Sequence, residues 1–566
     1  MKTKRLLALL LVMFTLSTSL WAGEQVVIDG IKYDITTKGK IAKVLSNSYQ
    51  GDIVIPETVT YKGVECNVTA IDNSAFANCN LLKSVVVPNS VTEMGTKVFS
   101  ASHVESVTLG NGISVINSNT FASCLFLSSV NIPESVTTIG EKAFQSCPAL
   151  TSIYIPDNVE TIGKYAFSSC VGFTRMIIGD GVTTIGDYAF SNCTNLTFVA
   201  FGAMVSSIGS NAFQNCGLTS VVIPNSVKTI GTRCFSGCSN MLSAKVGNGL
   251  KSISNYAFVD CTQLMSLTLR EGLAEIGDYA FLRCSDLIVV KIPSSVVSIG
   301  SSAFMYCTKL FNLELNEGLT TIGSGAFAGC TEMEFVQIPK SVTTIWDSAF
   351  AGCSHLVTIM LGSGLTKLYG KAFSNCTALE HFYCEVVNPP TIVGTNPFLN
   401  SEVEYATLHV PASSVATYNN TSPWNTFGNV VAIDAQSQPE PPVLEKCAKP
   451  TITYDDGMLY FSCETPDVQF VYSIKNGGAD TGVGDQAQLV SNYYVSVYAT
   501  KSGYEDSDTA TKTFVPVKAI KGDVNDDGKV TITDAVSVVN IILNGEASAP
   551  KMEAPEIQSV ETSEPE

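Results

Sequence analysis

Val136-Thr-Thr-Ile-Gly140-Glu-Lys-Ala-Phe144-Gln-Ser-Cys147-Pro-Ala-Leu150-Thr-Ser-Ile153-Tyr-Ile155-Pro156 is the stretch that decides the fold, because the chain restates it. Its phenylalanine recurs at 76, 99, 121, 144, 167, 190, 213, 235, 258, 281, 304, 327, 350 and 373, fourteen copies spaced 22 or 23 residues apart. One copy buries about six apolar side chains, worth ~1.5–3 kcal/mol apiece. Ordering its backbone costs about 1–2 kcal/mol per residue, so a single copy cannot fold alone. Stacking on neighbours must supply the difference, which makes the chain a solenoid. Within a unit, Leu150–Ile155 alternates as a short strand with Ile153 and Ile155 inward. Pro or Gly ends such strands, as at Pro133, Pro156, Gly179, Gly202 and Pro224, because proline has no N–H to give a ladder. The Ala-Phe-x-x-Cys turn then carries the chain to the next layer, with Phe as the spine of the core. At ~4.8 Å per layer, fourteen layers extend about 65 Å.

This repeat resembles the BspA-like leucine-rich repeats of bacterial surface and secreted proteins, over residues 70–385. The resemblance implies a mainly β leucine-rich-repeat solenoid and an adhesin-like role, in which the solenoid face binds a host matrix or cell-surface protein, or a glycan.

Eighteen cysteines in an exported chain would ordinarily mean disulfides. Thirteen of them, at 79, 124, 147, 170, 193, 216, 238, 261, 284, 307, 330, 353 and 376, share one column, with Ser102 in the second copy. In-register stacking puts neighbouring Cβ atoms about 4.8 Å apart, beyond the ~3.5–4.5 Å that a disulfide prefers. The column therefore favours buried thiols acting as small hydrophobes. Cys234 takes the Ala position and Cys384 an Ile position in the same manner. No Cys-x-x-Cys spacing points to zinc.

Residues 1–22 read as a secretory signal: Lys2, Lys4 and Arg5, then an apolar run from Leu6 to Phe14, then small and polar residues to a cleavage point after Ala22. The run is shorter than the ~20 residues that span a bilayer, and no later segment is apolar enough, so a secreted or cell-surface product without a membrane span is expected. With 51 Asp and Glu against 33 Lys and Arg, the net charge of −18 argues against nucleic acid as a partner. Charged residues make up 15% and hydrophobic ones 45%, which excludes a disordered polyelectrolyte.

The flanks divide as follows. Residues 23–69 carry Val26-Val-Ile-Asp-Gly-Ile-Lys-Tyr33 and Gly51-Asp-Ile-Val-Ile-Pro56, alternating β segments that should cover the first layer. Residues 386–434 lose the period and should close the other end. A stiff Pro-rich linker occupies 435–443. Residues 444–518 read as a small β module with strands around Met458–Cys463, Val468–Ile474 and Tyr493–Thr500. Tyr494-Val-Ser-Val-Tyr-Ala-Thr-Lys-Ser-Gly-Tyr504 resembles the immunoglobulin-like module at the C-terminus of chitobiases, which implies a β-sandwich acting as a spacer. Cys447 and Cys463 leave a cross-strand disulfide open.

Residues 519–545 hold a loop whose chemistry points to calcium. Asp523, Asn525, Asp527, Thr531 and Asp534 stand at loop positions 1, 3, 5, 9 and 12, with Gly528 at the sharp turn and the carbonyl of Lys529 at position 7. A hard cation of this kind takes about 6–8 oxygens. A helix over Ala535–Leu543 should follow. The loop and helix resemble one half of a dockerin, whose recognition positions map to Ile532 and Thr533, and the resemblance implies a cohesin as partner. Dockerins carry two such repeats and this chain has one. The tail over 546–566 is acidic and should be disordered.

Candidate contact residues lie where core packing does not choose them. Tyr154, Ile177, Phe198, Ala200 and Val222 occupy outward strand positions in consecutive layers and should form one exposed apolar patch. Trp346 and Tyr369 replace the Gly that follows Thr-x-Ile in adjacent layers, and could meet a sugar ring or a protein side chain. Tyr165, Tyr188, Tyr256 and Tyr279 fall at solvated layer edges. His103, His355, His381 and His409 lie far apart in sequence and share no metal or catalytic spacing. No Gly-x-Ser-x-Gly, His-Glu-x-x-His or phosphate loop occurs. The expectation is a non-catalytic binding protein; the alternative is an accessory component of an extracellular polysaccharide-degrading system, recruited through its calcium-dependent tail.

Overall fold

The computed structural model describes residues 23–434 and 439, most of 445–516 in short runs, and 557–560. The chain divides into two compact units, Met1–Pro442 and Val443–Glu566.

The first unit is a mainly β coil. Most turns carry two short parallel strands, and each joins a ladder running from layer to layer. Short strands of Thr-Ile type pair in register from Val115–Ile116 to Thr229–Ile230, and again from Ser252–Ile253 to Thr391–Val393. The longer strands after Cys form a second ladder, broken into several sheets. Two left-handed residues per turn make the Ala-Phe-x-x-Cys corner, for example Lys142 (φ 56°) before Ala143 and Ser146 (φ 58°) before Cys147. Between these bends the Phe N–H donates to the Ala carbonyl of the next layer, Phe144 to Ala166 and Phe167 to Ala189, both at 2.7 Å.

All fourteen repeat phenylalanines are buried. Their rings stack face to face at 5.0–5.6 Å between centroids, the offset-stacked spacing that aromatic pairs favour. Tyr49 starts the column 4.6 Å from Phe76. At the far end Phe398 lies 6.4 Å from Phe373, and Trp424 and Phe427 close it edge-on at 5.3 and 5.1 Å.

The cysteine column has a hydrogen-bonding reason as well as a packing one. From Cys124 to Cys376, each column thiol donates to the carbonyl of the preceding layer's Phe at 3.0–3.4 Å. Cys79, the first, reaches the Asn47 carbonyl at 3.3 Å instead. Most of these Phe carbonyls already accept a backbone N–H across their own turn, as Phe121 does from Cys124 at 3.2 Å. The thiol uses its second lone pair. All thirteen column cysteines carry free thiols.

The N-terminal segment starts both ladders. Glu24–Ile28 and Ile31–Thr36 form a hairpin across Asp29 and Gly30, both at positive φ, as a two-residue primed turn requires. Ile31–Thr36 then pairs with Ile41–Val44, and Val64–Ile71 joins the short ladder at Glu93–Met94. Gln50–Val54 joins the long ladder at Leu81–Val86.

One sequence expectation needs correction. Leu150–Ile155 is not a strand. The ladder below it stops at Asn131, whose side-chain amide bonds the Leu109 N–H at 2.7 Å and C=O at 2.9 Å, so the next layer has no in-register edge to join. Residues 386–434 lose the sequence period but keep both ladders: Thr391–Val393 pairs with Lys367–Tyr369, and Thr407–Val410 with His381–Cys384. Longer connections, including the helix Val415–Asn419, stretch the spacing without ending the coil.

The second unit is antiparallel. Thr451–Asp455, Met458–Ser462 and Gln486–Gln488 form one sheet, and Gly478–Val483, Gln469–Asn476, Tyr493–Thr500 and Ala510–Pro516 belong to another. The Cys463 thiol donates to the Ala448 carbonyl at 3.0 Å. The loop read as calcium-binding, the helix expected over Ala535–Leu543, and Ile532 and Thr533 lie outside the described residues, as do the expected signal over 1–22 and most of the linker.

Candidate binding surface

The side chains free to meet a partner are those on the outer face of the long ladder. Tyr154 and Ile177 are exposed, at 63% and 52%, in layers joined by the Phe144–Phe167 stack at 5.1 Å. The rest of the expected patch is not exposed. Phe198 and Ala200 are buried and Val222 is half-buried. The register explains both burials. Arg175 pairs with Phe198 and lays its guanidinium 4.6 Å from the ring centroid, a cation–π contact that hides the ring. Ala200 pairs with Ile177, whose longer side chain stands above it. The exposed surface is thus Tyr154, Ile177 and the exposed Arg175, with Phe198 beneath as a floor.

Trp346 and Tyr369 are brought together as expected, with centroids 4.3 Å apart and planes 23° apart. Tyr369 covers one face of the indole. The other face looks toward the preceding layer, where the same column holds Gly323, and Trp346 is 40% exposed.

The corner tyrosines differ from expectation. Each is half-buried at positive φ and stacked on its neighbour, Tyr165 on Tyr188 at 4.6 Å and Tyr256 on Tyr279 at 4.7 Å. Lys142 and Lys164 sit 5.6 and 5.5 Å from Tyr165, and Arg233 lies 4.5 Å from Tyr256. Ring faces engaged in this way are closed to a stacking ligand.

One cluster was not legible in the sequence. The parallel register sets Tyr383 beside His409 and His381 beside Thr407, so two histidines 28 residues apart meet, Nδ1 of His381 lying 3.3 Å from Nε2 of His409. Tyr383 stacks on His409 at 4.1 Å and joins Phe335 and Met360 in a small apolar cluster on the outer face, against which Ile433 packs. The signal that could have found the pair is the shared alternation of His381-Phe-Tyr-Cys384 and Thr407-Leu-His-Val410, which marks both as ladder strands despite the broken period. Among the described residues no group of three or more His, Cys, Asp or Glu side chains could hold a metal.

Burial, and then the charge of His381, holds His409 below the usual imidazole range. An opened cap regains the ordinary value of about 6.5 and binds a proton that the folded cap resists. Stability of this end should therefore be constant above that value and fall as pH drops from it through the lowered folded value. Amide exchange of Thr407–Val410 at pH 7.5 and pH 5 checks this. His409→Gln should flatten the dependence, and an unchanged slope would remove His409 as its source.

A family model described as the BspA type leucine-rich repeat region matches in 6 copies, over residues 57–174, 160–288 and 274–404. Among solved structures, a leucine-rich cell surface protein from Faecalibacterium prausnitzii is 31% identical; the match covers 64% of this chain and 94% of that one, with a TM-score of 0.40. A leucine-rich repeat protein from Bacteroides ovatus is 26% identical over 72% of this chain and all 100% of its own, with a TM-score of 0.48. No curated protein matches the chain. No helix among the described residues is long and apolar enough to cross a membrane.

Proposed function

Because the chain belongs to the BspA-type leucine-rich repeat family, we propose that it is a non-catalytic, secreted or cell-surface binding protein whose outer ladder face recognises a protein partner. The observation that carries the reading is the group of Tyr154, Ile177 and Arg175. Two large side chains in adjacent layers are held in water, Tyr154 and Ile177, beside a guanidinium already oriented by an aromatic ring. Tyr and Arg anchors around a small apolar centre are the composition from which protein interfaces draw most of their energy. A host matrix or cell-surface protein fits this chemistry. A glycan would be drawn instead to the open indole face of Trp346.

The loop Asp523–Asp534 supports a second role. Its oxygen ligands, Asp523, Asn525, Asp527, the Lys529 carbonyl, Thr531 and Asp534, would hold calcium, and the bound loop would present Ile532 and Thr533 to a cohesin-like partner in a polysaccharide-degrading assembly.

One experiment separates these readings: binding of the mature chain to immobilised matrix proteins and polysaccharides, with and without chelator. Tyr154→Ser with Ile177→Ser should weaken protein binding at least tenfold, the loss of about 1.4 kcal/mol or more expected of interface anchors, and leave the fold intact. Unaltered binding by this variant would overturn the assigned face. Capture lost with chelator or with Asp523→Ala, and kept by the double serine variant, would move the function to the tail.

A further inference from the structure

The N-terminal hairpin holds two buried acceptors that nothing in the described chain satisfies. Asp34 Oδ1 and Thr36 Oγ1 are shut away from water without a hydrogen-bond partner, an uncommon and costly condition. Both side chains leave the same face of Ile31–Thr36, opposite the face of the buried Ile31, Tyr33 and Ile35. The partner strand pairs Glu24 with Ile35 and Gln25 with Asp34, so Gly23 falls opposite Thr36. A Cβ on Gly23 would run into Asp34 Oδ1 and the Ile35 carbonyl. Glycine is therefore the residue that fits, and ordinary backbone geometry puts its nitrogen within about 5 Å of Oδ1. Gly23 is also the residue that follows the cleavage point read from the sequence.

We propose that removal of the leader at the Ala22–Gly23 bond creates the missing donor: the α-ammonium of Gly23 pairs with Asp34 and staples the first strand of the solenoid. Hydrolysis adds water across the peptide bond, OH to the Ala22 carbonyl carbon and H to the Gly23 nitrogen, which then takes a further proton. An amide that offered one N–H and carried a bulky leader becomes a small cation with three N–H donors, facing two acceptors that lack any. The other tether of this strand is independent of the event, since the Glu24 carboxylate is held by Lys62 at 2.5 Å and the Tyr61 hydroxyl at 2.7 Å. Lys43, opposite Asp34 in the next strand, sends its ammonium to Asp72 at 2.5 Å. Processing would thus complete the cap that covers the first layer and couple export to the stability of its edge.

The inference rests on the export reading, and two measurements keep their failures apart. Intact mass of the protein collected outside the cells that make it should give a chain starting at Gly23; a different start overturns the cleavage point itself. Separately, the full mature chain is released from a removable fusion with Gly23 as its free first residue and compared with the same chain acetylated there. Amide exchange over Glu24–Thr36 should be about tenfold slower with the free amine, the scale of one charge-assisted contact to a partly buried carboxylate. Asp34→Asn should bring the two forms to one rate, and Gly23→Ala should lose the protection even with a free amine. Equal exchange in the free and acetylated wild-type chains would overturn the ion pair, whatever the variants do.

Discussion

Replacing Phe258 by alanine is expected to destabilise the solenoid by about 3–5 kcal/mol, the cost of deleting a fully buried phenyl ring. Phe258 is shut off from solvent and stacked 5.2 Å from both Phe235 and Phe281, so its loss opens a cavity that borders two layers at once. Its backbone is equally committed. The N–H donates to Ala280 at 2.8 Å, and the carbonyl accepts from the Cys261 N–H and the Cys284 thiol, so the main chain cannot easily close over the gap. A solenoid's stability is the sum of repeat and nearest-neighbour terms. A weak mid-array layer should therefore separate the unfolding of the two sides, and a single urea transition should broaden or split. Phe126 supplies the control. It is half exposed and touches His103 rather than the column, so Phe126→Ala should cost within about 0.5–1 kcal/mol. A Phe258→Ala midpoint no lower than that of Phe126→Ala would mean that the ring column is not what holds the layers together.

The same column shows why so much of the fold was legible. A residue that must stack on its own copies has to recur at the layer period, and so do the thiol that bonds its carbonyl and the left-handed bends on either side. Those constraints write the phenylalanine into the sequence fourteen times and the column cysteine thirteen. The outer face is under no such constraint, and there the reading was weaker. Alternation correctly put Tyr154 and Ile177 outside the core, but it could not foresee that Arg175, two residues before Ile177, would cover Phe198, because that contact joins neighbouring layers and not neighbouring residues. His381 and His409 went unread for a related reason. Their meeting depends on a register preserved through a connection of irregular length, and a period search ends where the period does. The Asn131 break was hidden too, since an outward Asn looks the same whether its amide faces water or replaces a ladder bond.

The thirteen column thiols are expected to resist alkylation in the native protein by a thousandfold or more relative to the same chain in denaturant. Burial is the first reason, and it acts twice. It pushes the Cys124, Cys238 and Cys353 thiols up to about 12, so the thiolate, the reactive form, is on the order of a thousandfold scarcer than for an ordinary cysteine, and it also keeps the reagent out. Direction is the second reason. Each Sγ is already aimed at the carbonyl of the layer before it, so neighbouring thiols would have to give up that bond and turn toward each other to form a disulfide, with in-register Cβ atoms about 4.8 Å apart. With the export proposed above, this is how the chain would hold so many reduced cysteines in an oxidising compartment. Peptide mapping after native and denatured labelling, without reductant, tests both points. The half-buried Cys463 of the second unit should label first, the column only as the solenoid unfolds, and every column cysteine should label once it has. Column cysteines that stay unlabelled in denaturant would be oxidised, and that outcome would replace the thiol ladder with covalent staples. Cys261→Ser and Cys261→Val then divide the contribution: serine keeps a donor for the Phe235 carbonyl, as Ser102 shows can be buried in this column, whereas valine keeps the apolar volume and leaves that lone pair empty. If valine is the more damaging of the two, the hydrogen bond outweighs the hydrophobe as the reason for cysteine at this position.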